Sequence, residues 1–371
     1  EKVGKWLLVF LGVKTLHGMP VRQAEPTIKL AIGVFRHGIR SPYPFSYPND
    51  PYKDQYDKYF PEGPAQLTKA GKNLMHKVGL HFRDRYHNLL GESFTGDNIY
   101  FQSTYMDRTM MSAQIFAQSL YPPKDCQVWR EKESWHPIPV WTDYGRVDKV
   151  ALYLEALLCP KYTRIAEDVM KKLSQNELQE IYEPLSRCTG RTLNCTDHIF
   201  YIWDNLLYQD LNGLPLPNWA NDFYPMKLRK INNRILNNWV NGTPEMLVFS
   251  SGTLFHYIKS LLIDKVNNTL RPDRKVFLHG GHDTTLVALL AGIGNTEEIE
   301  SSPGATMVFE LHEVQGQHIV KVLYLDIILT GPDFHEISIP KCKYPCTLDS
   351  FLNTIQSVDN KQWKRMCIES N

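Results

Sequence analysis

Three short clusters hold side chains able to handle an anion. The first, Arg36, His37, Gly38 and Arg40, sets two guanidiniums around one imidazole. Each arginine offers a planar fork of donors that suits phosphate oxygens, and Gly38 lets the backbone come close without a side chain in the way. Taken alone, such a triplet reads at least as well as a strand end paired with surface acids. The second cluster runs from Gly280 to Thr285 and contributes His282 and Asp283. By themselves these residues are equally a cap or metal ligand and a plain helix N-cap. The third is Arg108, which follows Ser103, Thr104 and Asp107 at the start of an apolar helical pattern. A helix N-terminus already carries free amides and a positive dipole, so an arginine there argues for an anionic partner; an ion pair with Asp107 is the alternative.

Chemistry at these residues requires elements that carry them to one place. Leu30 to Phe35 is a short apolar run that stops at Arg36, as a strand buried on both faces does. The apolar positions 67, 70, 74, 78 and 82 keep to one helical face, and a strand at Ile99 to Phe101 precedes the helix Met106 to Leu120. The alternation returns with a strand at Met246 to Phe249, a helix at Leu254 to Leu262, a strand at Val276 to Leu278 and a helix after Asp283. Strands around Met307 to Leu311 and Ile319 to Leu325 complete the sheet. Between these halves the pattern turns helical, broken by Pro184, Pro215 and Pro217. The prediction is an α/β fold: an open, mostly parallel sheet flanked by helices, with an inserted helical cap domain. The α/β part takes residues 26–139 and 246–345, and the cap 140–245. Open α/β sheets bind ligands beyond the C-terminal ends of their strands, where all three clusters fall.

With 41 Lys and Arg against 40 Asp and Glu, the net charge of +1 gives no support to a nucleic-acid or polybasic membrane partner, so anion binding must be local. Residues 1–24 open with Lys2 and Lys5 and an apolar core from Trp6 to Val13, too short for a span, and read as a secretory leader, with an N-terminal surface helix as the alternative. No later stretch is expected to cross a membrane; the longest candidate, Ile319 to Leu329, is broken by Lys321 and Asp326. Seven cysteines without CxxC spacing, together with sequons at Asn194, Asn241 and Asn267, agree with an oxidising compartment, secreted or lysosomal.

FRHGIRSP at 35–42 and HDTT at 282–285 resemble the two signatures of the histidine acid phosphatases. QLTKAG (66–71), STYMDRT (103–109), WHPIPV (135–140) and LPNWA (216–220) are similar, in the same order, to segments of the animal prostatic and lysosomal enzymes and their secreted or venom relatives. The resemblance covers nearly all of the chain after residue 28. It implies a phosphoglycerate mutase-like core and acid phosphatase activity on small phosphate monoesters, with no cofactor and no metal. Carried over by motif, His37 is the nucleophile, Asp283 the proton donor, and Arg36, Arg40, Arg108 and His282 hold the phosphate. Ile39 stands where relatives often have Asp or Ala. The resemblance also pairs Cys159 with Cys367 and Cys342 with Cys346, making 346–371 a disulfide-tied tail; a third bridge of the vertebrate proteins has no counterpart, so Cys188 with Cys195 follows by elimination and Cys126 is left over. It leaves a homodimer open.

The implied reaction is a two-step displacement through phosphohistidine, in which Asp283 protonates the leaving oxygen and then accepts a proton from water. Two alternatives compete with it. One is a phytase or lysophospholipid phosphatase using the same centre; the other is a secreted protein that binds anions without turning them over.

Overall fold

Ile28–Arg36 forms β1, nine residues of which only Lys29 is exposed, and it lies in the middle of the sheet. The computed structural model describes residues 24–44, 46–143, 156–295 and 300–368. Apart from Ala24, the leader expected at 1–24 lies outside the described residues.

In chain order β1 is followed by α1 (Lys69–Leu90), β2 (Ile99–Ser103), α2 (Asp107–Leu120), and the helices α3 (Pro160–Glu177), α4 (Gln179–Thr189), α5 (Thr196–Leu211), α6 (Met226–Asn241) and α7 (Pro244–Val266). Then come β3 (Val276–Gly281), α8 (Asp283–Gly292), β4 (Thr306–Val314), β5 (Gln317–Asp326), β6 (Gly331–Ile337), α9 (Leu348–Thr354) and α10 (Asn360–Ile368). The six strands are ordered β2-β3-β1-β4-β5-β6. One face of the sheet packs Phe35 and Phe101 against Phe82 of α1 and Phe116 of α2; the other packs Val34 and Phe309 against Phe255 of α7 and Leu286 of α8.

The sheet is open and flanked by helices, but mixed rather than mostly parallel. β2, β3 and β1 run parallel, whereas β4, β5 and β6 form antiparallel ladders and β4 is antiparallel to β1. The cause is local. Val314 and Gln317 are partners across a two-residue turn in which Gln315 and Gly316 both have positive φ, the hairpin geometry that matches strand twist. Strand β6 was not expected, because only Phe334 and Ile337 of its seven residues are buried and its pattern is correspondingly faint.

The strand expected at Met246 to Phe249 is instead the first turns of α7. Thr243 caps this helix, its hydroxyl accepting from the Met246 amide at 3.2 Å, and Pro244 takes the first helical turn, where a missing N–H costs nothing. By length and composition α7, rather than Ile319 to Leu329, is the longest candidate for a membrane span among the described residues, yet most of its apolar window is buried inside the molecule, against the sheet and neighbouring helices.

Helices α3 to α6 share a hydrophobic cluster of their own, including Leu173, Leu185, Ile199, Trp203, Leu206, Leu228 and Ile235. A disulfide joins Cys159, which precedes α3, to Cys367 of α10, and another joins Cys342 to Cys346. Cys188 and Cys195 are not bonded, which corrects the pairing reached by elimination. Cys188 packs against the cluster of the inserted helices, while Cys195 is the N-cap residue of α5; elimination carries no geometry, and these positions belong to different tasks. Cys126 is exposed and free.

Candidate active site

β1, β3 and β2 are neighbours in parallel register, with Arg36 opposite Gly281 and Gly280 opposite Ser103. Their C-terminal ends therefore deliver all three sequence clusters to one edge. His282 is the N-cap residue of α8, its amide donating to Thr285 Oγ1 at 3.2 Å, and Arg108 is the second residue of α2. The six predicted site residues, Arg36, His37, Arg40, Arg108, His282 and Asp283, all meet there.

The loop after β1 is seated by two glycines. A methyl on Gly71 of α1 would lie 1.9 Å from the Ile39 carbonyl oxygen, and one on Gly38 would lie 2.7 Å from the Gly71 carbonyl. The Gly38 requirement is thus contact with α1 rather than approach to a ligand, which corrects the sequence reading. Thr68 holds the same loop, its amide and hydroxyl both donating to the Ile39 carbonyl.

The His37 ring is buried, with Nδ1 2.8 Å from the carbonyl oxygen of Gly38. A carbonyl only accepts, so the proton sits on Nδ1 and the lone pair is left on Nε2. Burial, reinforced by Arg108, Arg36, His282 and Arg40, holds the ring well below the usual histidine range, so it is neutral in mild acid. The His282 ring lies 5.7 Å away, centroid to centroid, its Nε2 3.1 Å from Thr104 Oγ1, and burial with Arg108 lowers it to about 3.

Asp283 Oδ2 pairs with Arg36 Nη2 at 2.9 Å, and its Oδ1 accepts from the Thr284 amide at 2.7 Å. Burial pushes this carboxyl up, but Arg36, His282 and the amide outweigh it and hold it below the ordinary value. Arg36 also donates to the Ser301 carbonyl at 2.5 Å and to the Tyr208 hydroxyl at 3.0 Å. Arg40 donates to Asp204 Oδ1 at 2.6 Å, with its guanidinium 4.1 Å from the Tyr208 ring centroid and 4.5 Å from that of Tyr43. Arg108 differs from both in its charge balance: its Nε, like theirs, is buried without a partner, but burial with Arg40 close by lowers its pKa, whereas the carboxylates beside Arg36 and Arg40 outweigh burial and raise theirs.

The loop at Ser301 to Ala305 forms a shelf beneath these groups. Besides the Ser301 bond, Ala305 accepts from the Arg36 amide and Gly304 donates to the His37 carbonyl. Asp326 at the end of β5 braces the shelf by accepting from the Ser302 amide at 3.0 Å, and by accepting from Ile328 and Leu329 with its other oxygen. Burial, opposed by those amides, raises this carboxyl to about 7.

Asp204, Tyr208 and Asp326 were not among the predicted site residues. Asp204 and Tyr208 lie four apart on α5, a spacing that puts both on one helix face, and an acid on the largely apolar face of that helix is the signal that could have found them. Among the described residues, no group of three or more His, Cys, Asp and Glu is placed to hold a metal ion. The arrangement offers two buried arginines and a half-buried third, a fixed neutral imidazole and one carboxyl, which can bind a phosphate group, attack it and move a proton.

The family described as Histidine phosphatase superfamily (branch 2) matches residues 27–325. The chain is 30% identical to the lysosomal acid phosphatase of Bos taurus over 97% of this chain and 84% of that one. It is 29% identical to the venom acid phosphatase Acph-1 of Apis mellifera over 90% of this chain and 86% of the relative. Among solved structures, Hafnia alvei phytase in complex with tartrate superposes with a TM-score of 0.68 at 17% identity, covering 91% of this chain and all of that one (100%).

Proposed function

The chain belongs to the histidine phosphatase superfamily, branch 2, and from that premise we propose that it is an acid phosphatase that hydrolyses phosphate monoesters through a phosphorylated His37. One observation carries the reading: an uncharged imidazole, pinned through Nδ1, stands among the charges of Arg36, Arg40 and Arg108. Nε2 attacks phosphorus as the ester P–O bond breaks, and the phosphoryl group passes to the ring. Asp283 gives its proton to the departing alkoxide. Water then attacks the phosphohistidine, Asp283 takes the proton, and phosphate leaves with His37 restored. The arginines and His282 meet the charge that spreads over the three transferring oxygens.

In the unliganded site Asp283 is ionised and held by Arg36. A bound phosphate draws that guanidinium to itself and adds negative charge beside the carboxylate. Both effects raise the affinity of Asp283 for a proton, so the substrate itself arms the acid.

The names of the relatives, the two disulfides and the exposed sequon residues Asn194 and Asn267 support secretion or residence in the lysosomal lumen. Asn241, the last residue of α6, is half-buried. The test is hydrolysis of aryl and alkyl phosphates at acid pH with a chelator present, together with phosphorus label trapped on the protein by rapid acid quench. Chelator-resistant turnover and label on His37, absent from His37→Ala, are the expected results. Turnover without label on that ring overturns the mechanism, faster hydrolysis of phytate than of aryl phosphates moves the reading to a phytase, and binding without turnover moves it to an anion carrier.

A further inference from the structure

One wall of the site is aromatic and leads outward. Arg40 is buried; over it lies the half-buried Tyr43 ring, and against Tyr43 stands Tyr201, 40% exposed, with centroids 5.9 Å apart and planes at 85°. Tyr43 also lies near enough to Arg108 to act on its charge. Tyr201 belongs to α5, three residues before Asp204 and seven before Tyr208, so it shares the face that closes over the arginines. Its other side rests on Phe200, which packs on Trp239 at 4.8 Å, so the wall is backed.

From this geometry we infer that Tyr43 and Tyr201 are specificity-determining residues that form a slot for the leaving group and favour esters whose alcohol is flat and aromatic. The inference rests on the phosphatase reading. In the inferred pose a phosphate seated between Arg40 and Arg108 turns its inner oxygens to the guanidiniums, and its ester oxygen points outward, past Tyr43. The first surface that the leaving group meets is then the face of one ring and the edge of another. An aryl group gains an offset or edge-on contact there that a hydrated polyol cannot make.

The experiment compares phenyl phosphate with glycerol 2-phosphate for the wild type, Tyr201→Ala and Tyr201→Phe. Because Tyr201 is exposed, its replacement leaves the core intact. Tyr201→Ala is expected to lower kcat/KM for phenyl phosphate about three- to tenfold more than for glycerol 2-phosphate, mostly through KM, which is the range such ring pairs span. Tyr201→Phe should restore the wild-type ratio, and inorganic phosphate should inhibit all three proteins alike. Equal losses on both esters, or a ratio that does not move, overturn the slot while leaving the phosphatase reading in place. A wild-type protein inert to both esters removes that reading and the slot with it.

Discussion

Arg108 is the cation in the site that has most to gain from a ligand and most influence on the nucleophile. It is the largest of the charges holding His37 below the usual range, second only to burial itself. Replacing it with leucine removes a positive field that disfavours the imidazolium, so the pKa of His37 rises. The acid limb of the kcat/KM profile is then expected to move to higher pH, along with a loss of about a hundred- to thousandfold at the optimum; a pH–rate series measures both. Asp283→Asn keeps the shape but not the proton, and its loss of kcat should be large for alkyl esters and shrink as the leaving group becomes more acidic, seen in a series of substituted phenyl phosphates. Asp204→Asn leaves Arg40 buried beside a neutral amide. Removing one partner of such a pair costs about 3 to 5 kcal/mol of stability, checked by denaturant unfolding. The pair Arg40 and Asp204 also marks where reading residues one at a time runs out. Arg36, His37, Arg40, Arg108, His282 and Asp283 announce themselves by type and by lying just beyond strands. Asp204 and Tyr208 sit more than 160 positions further along than Arg36 and Arg40, in a helix whose face is defined only by what it packs against.

At the scale of elements, the site depends on how closely the loop after β1 can lie on α1. Gly71→Ala puts a methyl into the Ile39 carbonyl, and since both partners are backbone neither can turn aside. A loss of activity well beyond the accompanying destabilisation of about 1 to 3 kcal/mol is expected, because Arg40 adjoins the residue that is pushed and His37 lies two positions before it; comparing kcat/KM with the melting curve separates the two. The βα units that carry the clusters were legible because each long helix shows an apolar stripe and each buried strand is a short unbroken apolar run. Met246 to Phe249 was misread for the same reason. Four apolar residues in a row fit the buried start of a helix as well as a strand, and the decisive signal was the Thr-Pro pair just before them. The antiparallel half of the sheet was legible only through Gln315 and Gly316, and a turn of two residues is a faint mark in a chain of 371.

For the whole molecule, the bond between Cys159 and Cys367 spans 208 residues and ties the inserted helices to the C-terminal helix. Its removal by Cys159→Ser with Cys367→Ser is expected to lower stability by about 2 to 5 kcal/mol while KM stays put, since neither end touches the arginines; calorimetry and steady-state rates test it. Asp326 makes stability depend on pH in a particular direction. Its carboxyl titrates near 7 in the folded chain against 3.8 as the ordinary value, so between those limits the folded chain holds a proton that the unfolded chain releases. That contribution is complete below the lower limit and fades as pH climbs through the upper one. Relative to Asp326→Asn, the wild-type melting temperature should therefore decline from pH 4 towards pH 7, and parallel curves for the two proteins would contradict the assignment. A charge that the fold shelters only at a cost is thus discharged by acid: acidification, which unsettles many proteins, here relieves the ground beneath the reactive ring of a sequestered ion.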